Sequence, residues 1–322
     1  MKSAARRPVI VALKFGLSAA ALGLLFHFVH IGEVGQALKS AAPAGLLIGA
    51  LLNILTRFAA AGRTYAVSRV AGLPVSFPQT LQALFIDNFW SLAMPGVSAG
   101  SVATVWRYHG NGAGVMQSVA VLSASRMVEL VAFCLLALLG LATSVSAASG
   151  SRLWVATLLA GIILAVMLAL WLLHRLPVPA AATAADPSGN AVQRTRTALL
   201  AAMQLLRGLP RRALLRASGW ALLQGVLDAA TVLALALALG IPIGLPQALW
   251  INALSYLAIL LPVSAAGLGM RELAVLAALL PLGISRADAL ALALLMLAML
   301  LLNARAGAAL QLFTRLPRRQ PA

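Results

Sequence analysis

Apolar runs long enough to cross a lipid bilayer recur along this chain, and they leave it two architectures. A bilayer core offers backbone amides no water, so only helices and closed β-barrels span it. A helical crossing takes about 20 residues. The runs here are rich in Ala, Leu, Val and Ile, aromatics make up 6% of the chain, and the alternating strands of a barrel are absent. Charged residues are 10% of the sequence and hydrophobic ones 62%, where a soluble domain averages about 25% and about 45–50%. The expectation is an all-α polytopic membrane protein and not a soluble enzyme.

Six full spans are expected, at roughly 8–29, 44–65, 116–145, 153–173, 214–239 and 287–313. Met1 to Arg7 imitates the start of a signal peptide, but the apolar run that follows is too long for one, so it reads as an uncleaved first helix. Two stretches, 79–108 and 247–280, are instead pairs of apolar arms of roughly 13–16 residues around a Pro/Gly break, too short for the usual crossing. The breaks are Met94-Pro95-Gly96 and Leu261-Pro262 through Gly267 and Gly269. Each stretch is either a re-entrant helical hairpin or two short tilted spans, about ten spans in all in the second case. The hairpin is the preferred reading.

The chain divides as one membrane domain: an N-terminal helix and connection (1–43), a first repeat with the fourth span (44–174), a basic linker (175–213) and a second repeat (214–315). Ala180 to Asn190 is rich in Ala, Pro and Gly, and 194–216 reads as an amphipathic interfacial helix with Leu199, Met203 and Leu206 on one face. Lys2, Arg6, Arg7 and Lys14, the linker arginines, and Arg315, Arg318 and Arg319 all fall on one side of the membrane if the spans are counted this way. By the positive-inside rule that side is the cytoplasm, which puts both termini inside and the chain in a bacterial inner membrane. The same distribution accounts for the net charge of +17 without nucleic acid. Cys134, the one cysteine, can form no internal disulfide.

The two broken stretches resemble each other. Gly72, Pro74, Pro78 and Gln79 parallel Gly240, Pro242, Pro246 and Gln247, about 168 residues on. Pro95 with Val97 to Gly100 parallels Pro262 with Val263 to Gly267, and Gly114 parallels Gly283. The second span enters from outside and the fifth from inside, so the repeats are expected to be inverted. Broken helices at matching places in inverted repeats are a sequence signature of transporters with a site at the repeat interface.

Leu260 through Gly269, Arg271 and Glu272 are similar to the Pro-x-x-x-Gly-Gly-x-Gly-x-Arg-Glu signature of the lysylphosphatidylglycerol synthase transmembrane domain, a flippase-like family. Asn88 to Gly100 resembles that family's Asn-x-x-x-Pro-Gly-x-x-Gly segment, and Ser125 to Glu129 its Glu-Arg-x-x-Asp segment; Asp228 sits where the family often has an acid. Ser101 and Thr104 replace an acid and an arginine usual in the first half, and Arg107 comes later. The resemblance implies lipid translocation across the cytoplasmic membrane. The soluble aminoacyl-transferase domain of bifunctional relatives is not expected, because the chain ends at Ala322 just after the last span. Stand-alone relatives include proteins associated with hopanoid-lipid pathways.

A charge at mid-bilayer costs about 2.5–3.5 kcal/mol on insertion scales, so each such residue needs a partner, water or a ligand. Arg126 and Glu129, three apart, share a helical face as either an ion pair or a functional site. Arg271 and Glu272, being adjacent, are expected on different faces; Arg271 would hold a lipid phosphate, assisted by amides after Gly267, and Glu272 would orient it or carry a proton. Asp228, and Asp87 with Asn88, are expected to pair with Arg107, Arg126 or Arg271. Arg57 and Arg63 are expected to snorkel to the cytoplasmic surface. His27, His30, His109 and His174 form no metal spacing, and the six tryptophans read mostly as interface anchors. No nucleophile–base pair, phosphate loop or zinc motif is present, so no cofactor is expected. The expected function is flipping of a lipid with an anionic or phosphate-bearing headgroup. The alternative is a membrane accessory subunit that docks a cytoplasmic lipid-synthesis enzyme on the basic linker.

Overall fold

The computed structural model describes residues 31–93, 99–145, 161, 164, 191–260 and 269–313. The expected spans at 8–29 and 153–173, both breaks with Pro95, Pro262 and Gly267, the 180–190 linker segment and the tail arginines lie outside the described residues. So do His27, His30, His174, Trp154 and Trp171.

Every described element is a helix. In chain order they are α1 (Ile31–Lys39), α2 (Pro43–Val70), α3 (Phe77–Ala93), α4 (Ala99–Gly110), α5 (Val115–Val145), α6 (Ala191–Gly208), α7 (Arg211–Ala238), α8 (Leu245–Leu260), α9 (Met270–Leu279) and α10 (Arg286–Phe313). Among the described residues α2, α5, α7 and α10 are long and apolar enough to cross a membrane. They coincide with the spans expected at 44–65, 116–145, 214–239 and 287–313. The helix expected over 194–216 is instead divided. Pro210 lacks the amide needed to continue α6 and stands at the N-terminus of α7, so Arg211, Arg212 and Arg216 belong to a spanning helix. Met203 of α6 is buried, and its neighbour Ala202 shares a core with Val121, Ala124 and Val128 of α5.

The same turn chemistry recurs in both halves. Gly72 (φ 70°) and Gly240 (φ 72°) end α2 and α7 in the left-handed region, where a side chain is strained. In each case the glycine N–H donates to the carbonyl three residues back and the next N–H to the carbonyl five back: Gly72 to Arg69 and Leu73 to Ser68, Gly240 to Leu237 and Ile241 to Ala236. Gln79 and Gln247 then accept hydrogen bonds from the backbone N–H of Ser76 and Gly244, at 2.8 and 3.1 Å, closing the N-termini of α3 and α8. The pairing of Gly283 with Gly114 needs correction. Gly112 (φ 90°) carries the cap equivalent to Gly283 (φ 82°), because it is the residue whose N–H returns to the helix before it.

Helix α2 lies antiparallel to α7. A Cβ on Gly45 would sit 2.8 Å from Ala238 Cβ and one on Gly49 2.9 Å from Leu235 Cδ2, while one on Gly62 would meet the Trp220 ring. Gly45 and Gly49 are four apart, the small-residue spacing that lets membrane helices approach closely. Their opposite face, Leu47, Ile48, Leu51, Leu55 and Phe58, is exposed, as an apolar surface in lipid can be. Each half also reaches into the other: α3 packs on α10 at Gly307, and α8 packs on α5 at Gly140. A Cβ on Gly307 would collide with the Phe85 backbone carbonyl, whereas Gly219 on α7 faces open space. Gly307→Ala is therefore expected to destabilise the fold by about 1–3 kcal/mol through overpacking. Gly219→Ala should be neutral or slightly stabilising, as a helical Gly→Ala exchange is worth about 0.5–1 kcal/mol. Thermal unfolding in detergent checks the contrast.

Candidate functional site

Within this apolar bundle the charged side chains converge. Glu129, on α5, is 2% exposed and accepts from four helices. Its Oε1 takes Arg63 Nη1 of α2 at 3.0 Å and Gln224 Nε2 of α7 at 2.7 Å. Its Oε2 takes Tyr256 Oη of α8 at 3.0 Å and, within α5, Arg126 Nη1 at 3.2 Å. Arg63 is itself buried and donates further to Gln224 Oε1 at 2.6 Å and Ser125 Oγ at 2.9 Å. With four donors the carboxylate is saturated, which is the condition for holding a buried charge.

Two further ion pairs flank this centre. Arg126 Nη2 lies 3.4 Å from Asp87 Oδ2 of α3, and the Arg126 side chain is 49% exposed. Arg57 Nη2 lies 3.8 Å from Asp228 Oδ1 of α7, and Gln224 Nε2 reaches Asp228 Oδ2 at 3.5 Å. Arg57 also donates to Thr56 Oγ1 at 3.1 Å. Three arginines thus face three carboxylates, and the network is formally neutral.

A cavity of about 430 Å³ opens against this network. Arg57, Asp87, Arg126, Glu129, Asp228 and Arg271 line it. It is bounded near the middle of α2, α5, α7 and α10, and its walls include residues on both sides of both breaks: Ser91 and Ser101 about the first, Ile259 and Arg271 about the second. The two interrupted segments therefore meet at one polar space.

The expected residues fall out unevenly. Arg126 pairs with Glu129 as their spacing suggested, and Asp87 pairs with Arg126. Asn88 lines the cavity and donates to Leu84 O at 3.0 Å. Arg107 does not reach it; its Nη2 lies 3.5 Å from Gln82 Oε1. Arg57 and Arg63 do not snorkel. Helix α2 continues to Val70, which puts both more than a turn inside it and on the side facing α7 and α5. Asp228 consequently takes Arg57, not Arg107, Arg126 or Arg271. Nor do Arg271 and Glu272 diverge: Arg271 Nη2 lies 2.8 Å from Glu272 Oε1. The long arginine folds back along the first turn of α9, while Glu272 Oε2 accepts the Gly269 N–H at 2.7 Å and closes that helix's N-terminus. Gly269 serves as this cap, at φ 85°. Trp250 is 5% exposed and packs on Gly140, so it is a core residue and not an interface anchor.

Sequence reasoning missed Gln224, Tyr256, Asn53 and Asn303. They carry no charge, yet each is a strong hydrogen-bonding group inside an apolar helix. That was the available signal, since such a group in hydrocarbon demands a partner.

Glu129→Ala is expected to cost about 3–5 kcal/mol, because it strands the buried Arg63. Arg126→Ala should cost less than that, because the guanidinium is half-exposed and Glu129 keeps three of its four donors. Thermal unfolding of the two purified variants beside the parent provides the comparison.

Residues 11–302 match the profile of the lysylphosphatidylglycerol synthase TM region. No curated protein sequence matches the chain.

Proposed function

Since the chain belongs to the lysylphosphatidylglycerol synthase TM-region family, with the membrane-lipid role the family suggests, we propose that it moves phosphate-bearing lipid headgroups across the bacterial inner membrane. The observation that carries the proposal is the charged cavity at mid-helix depth, walled by residues on both sides of both breaks. A headgroup crossing hydrocarbon loses its water, and a site at that depth must replace it. Arg126 is the arginine best placed to do so. It lines the cavity, its side chain is half-exposed, and its contact with Asp87 is long at 3.4 Å. A phosphate would take the exposed edge of that guanidinium in a two-point hydrogen bond and draw it from Asp87. Arg271, on the wall beside the second break, is the second phosphate ligand. Arg63 and Glu129 hold the bundle and stay paired.

In this reading the two halves are inverted repeats, an assignment supported by the antiparallel packing of α2 on α7 and by the exchanged contacts of α3 with α10 and α8 with α5. The broken segments are re-entrant hairpins, whose flanking residues Ser91, Ser101, Ile259 and Arg271 line the cavity, between six full spans with both termini cytoplasmic. Rocking of one repeat against the other exposes the cavity to either leaflet in turn. The protein acts as a transporter and carries out no covalent chemistry.

Headgroup translocation in proteoliposomes tests this, with fluorescent phospholipids and a membrane-impermeant quencher. The parent should move phospholipid headgroups. Arg126→Ala should slow the movement at least about tenfold, the worth of one charge-assisted contact. Arg69→Gln, at the exposed end of α2, should leave the rate unchanged. No movement by a folded parent, with and without a proton gradient, would contradict the proposal.

A further inference from the structure

The cavity carries a polar group whose needs no described residue meets. Asn303 of α10 is 3% exposed and lines the cavity together with Asn53 of α2. The amide orientations are fixed by their partners. Asn53 Nδ2 donates to the Met299 carbonyl at 3.3 Å, so Asn53 presents Oδ1 to its neighbour, and Asn303 Nδ2 donates to it at 3.1 Å. Asn303 Oδ1 is left buried, with no hydrogen-bond partner among the described residues. A buried amide oxygen without a donor is destabilising, and a transporter tolerates it if its cargo supplies the donor.

The charge balance points the same way. The arginines and carboxylates of the network already neutralise one another, each arginine at 3.0–3.8 Å from an acid. Affinity for a bare negative charge would have to come at the expense of those pairs. On the opposite side of the ledger, Arg271 Nε is buried and also without a partner among the described residues. Among the described residues, the side chains lining the cavity therefore leave one buried donor unpaired, Arg271 Nε, suited to a phosphate oxygen, and one buried acceptor, Asn303 Oδ1.

We propose that Asn303, held by Asn53, forms a second subsite that selects headgroups bearing a hydrogen-bond donor beyond the phosphate, a hydroxyl or a primary ammonium. The inference rests on the transport reading for its choice of ligand, a phospholipid. Headgroups that end in methyl groups leave Asn303 Oδ1 unpaired and are rejected, as sites built around a hydrogen bond reject analogues that lack it.

Equilibrium binding to the purified protein tests the subsite apart from transport, using short-chain lipids in two pairs matched in charge. Phosphatidylglycerol and phosphatidylmethanol are both anionic, and only the first has hydroxyl donors. Phosphatidylethanolamine and phosphatidylcholine are both zwitterionic, and only the first has N–H donors. The parent is expected to favour the donor-bearing member of at least one pair by about tenfold, and the pair that splits identifies hydroxyl or ammonium as the donor. Asn303→Leu should erase the preference. Asn303→Asp, which keeps an acceptor and adds charge, should shift selection toward phosphatidylethanolamine; if the leucine variant does not fold, absence of that shift overturns the proposal. It is also overturned if neither pair splits by more than about twofold, if no lipid binds, or if the preference survives in folded Asn303→Leu. A donor preference in binding without any headgroup translocation would sink the transport reading and leave the subsite standing.

Discussion

A carboxylate at the centre of an apolar helix bundle must be surrounded by donors or it will not stay charged there, and Glu129 is surrounded. Its two oxygens draw Arg63 from α2, Gln224 from α7 and Tyr256 from α8, together with Arg126 of its own helix. These contacts fix where α2, α5, α7 and α8 stand relative to one another at mid-helix depth. Membrane helices gain little from the hydrophobic effect when they associate, since lipid is as apolar as they are. Close glycine-mediated packing of α2 on α7 and this single polar hub supply what the hydrophobic effect does not. The cavity exists because the hub holds the helices around a polar space instead of letting apolar side chains close it.

Within that frame the paired charges differ in how tightly they are held. Arg63 is buried and has three partners, whereas Arg126 is half-exposed and reaches Asp87 at 3.4 Å. The first is suited to holding structure, the second to exchanging partners. In the proposed transport cycle this division lets a headgroup phosphate bind without unfastening the bundle. The recurrence of one cap geometry after α2 and α7, and again before α5 and α10, supports two halves built on one plan.

Much of this was legible in the residues. Gly72 and Gly240 announce themselves, because a left-handed cap needs that residue type. Arg126 and Glu129 were found together because three-residue spacing on a helix is a local property. What was not legible is pairing across the bundle. Arg63 and Gln224 are far apart in sequence, and only the antiparallel packing of α2 on α7 brings them together. The snorkelling assigned to Arg57 and Arg63 failed because it depended on where α2 ends, and helix ends are set by caps and contacts rather than by hydropathy. Arg271 and Glu272 were separated on paper by the angle between successive residues; a long side chain at a helix N-terminus is not bound by that angle. Asn53 and Asn303 were passed over for want of charge, although a neutral amide in hydrocarbon needs a partner nearly as much as an ion does.

The central claim is that a hydrated polar cavity lies at mid-membrane depth, lined by the helices that flank the two breaks. Cysteine accessibility tests it most directly, against a background kept low by Cys134, which is the only cysteine and is buried. Ser91 lines the cavity, while Leu51 faces outward from α2. In native membranes, Ser91→Cys should react with a water-soluble, membrane-impermeant thiol reagent, and Leu51→Cys should not. A folded Ser91→Cys that is as unreactive as Leu51→Cys from both sides of the membrane would contradict the account.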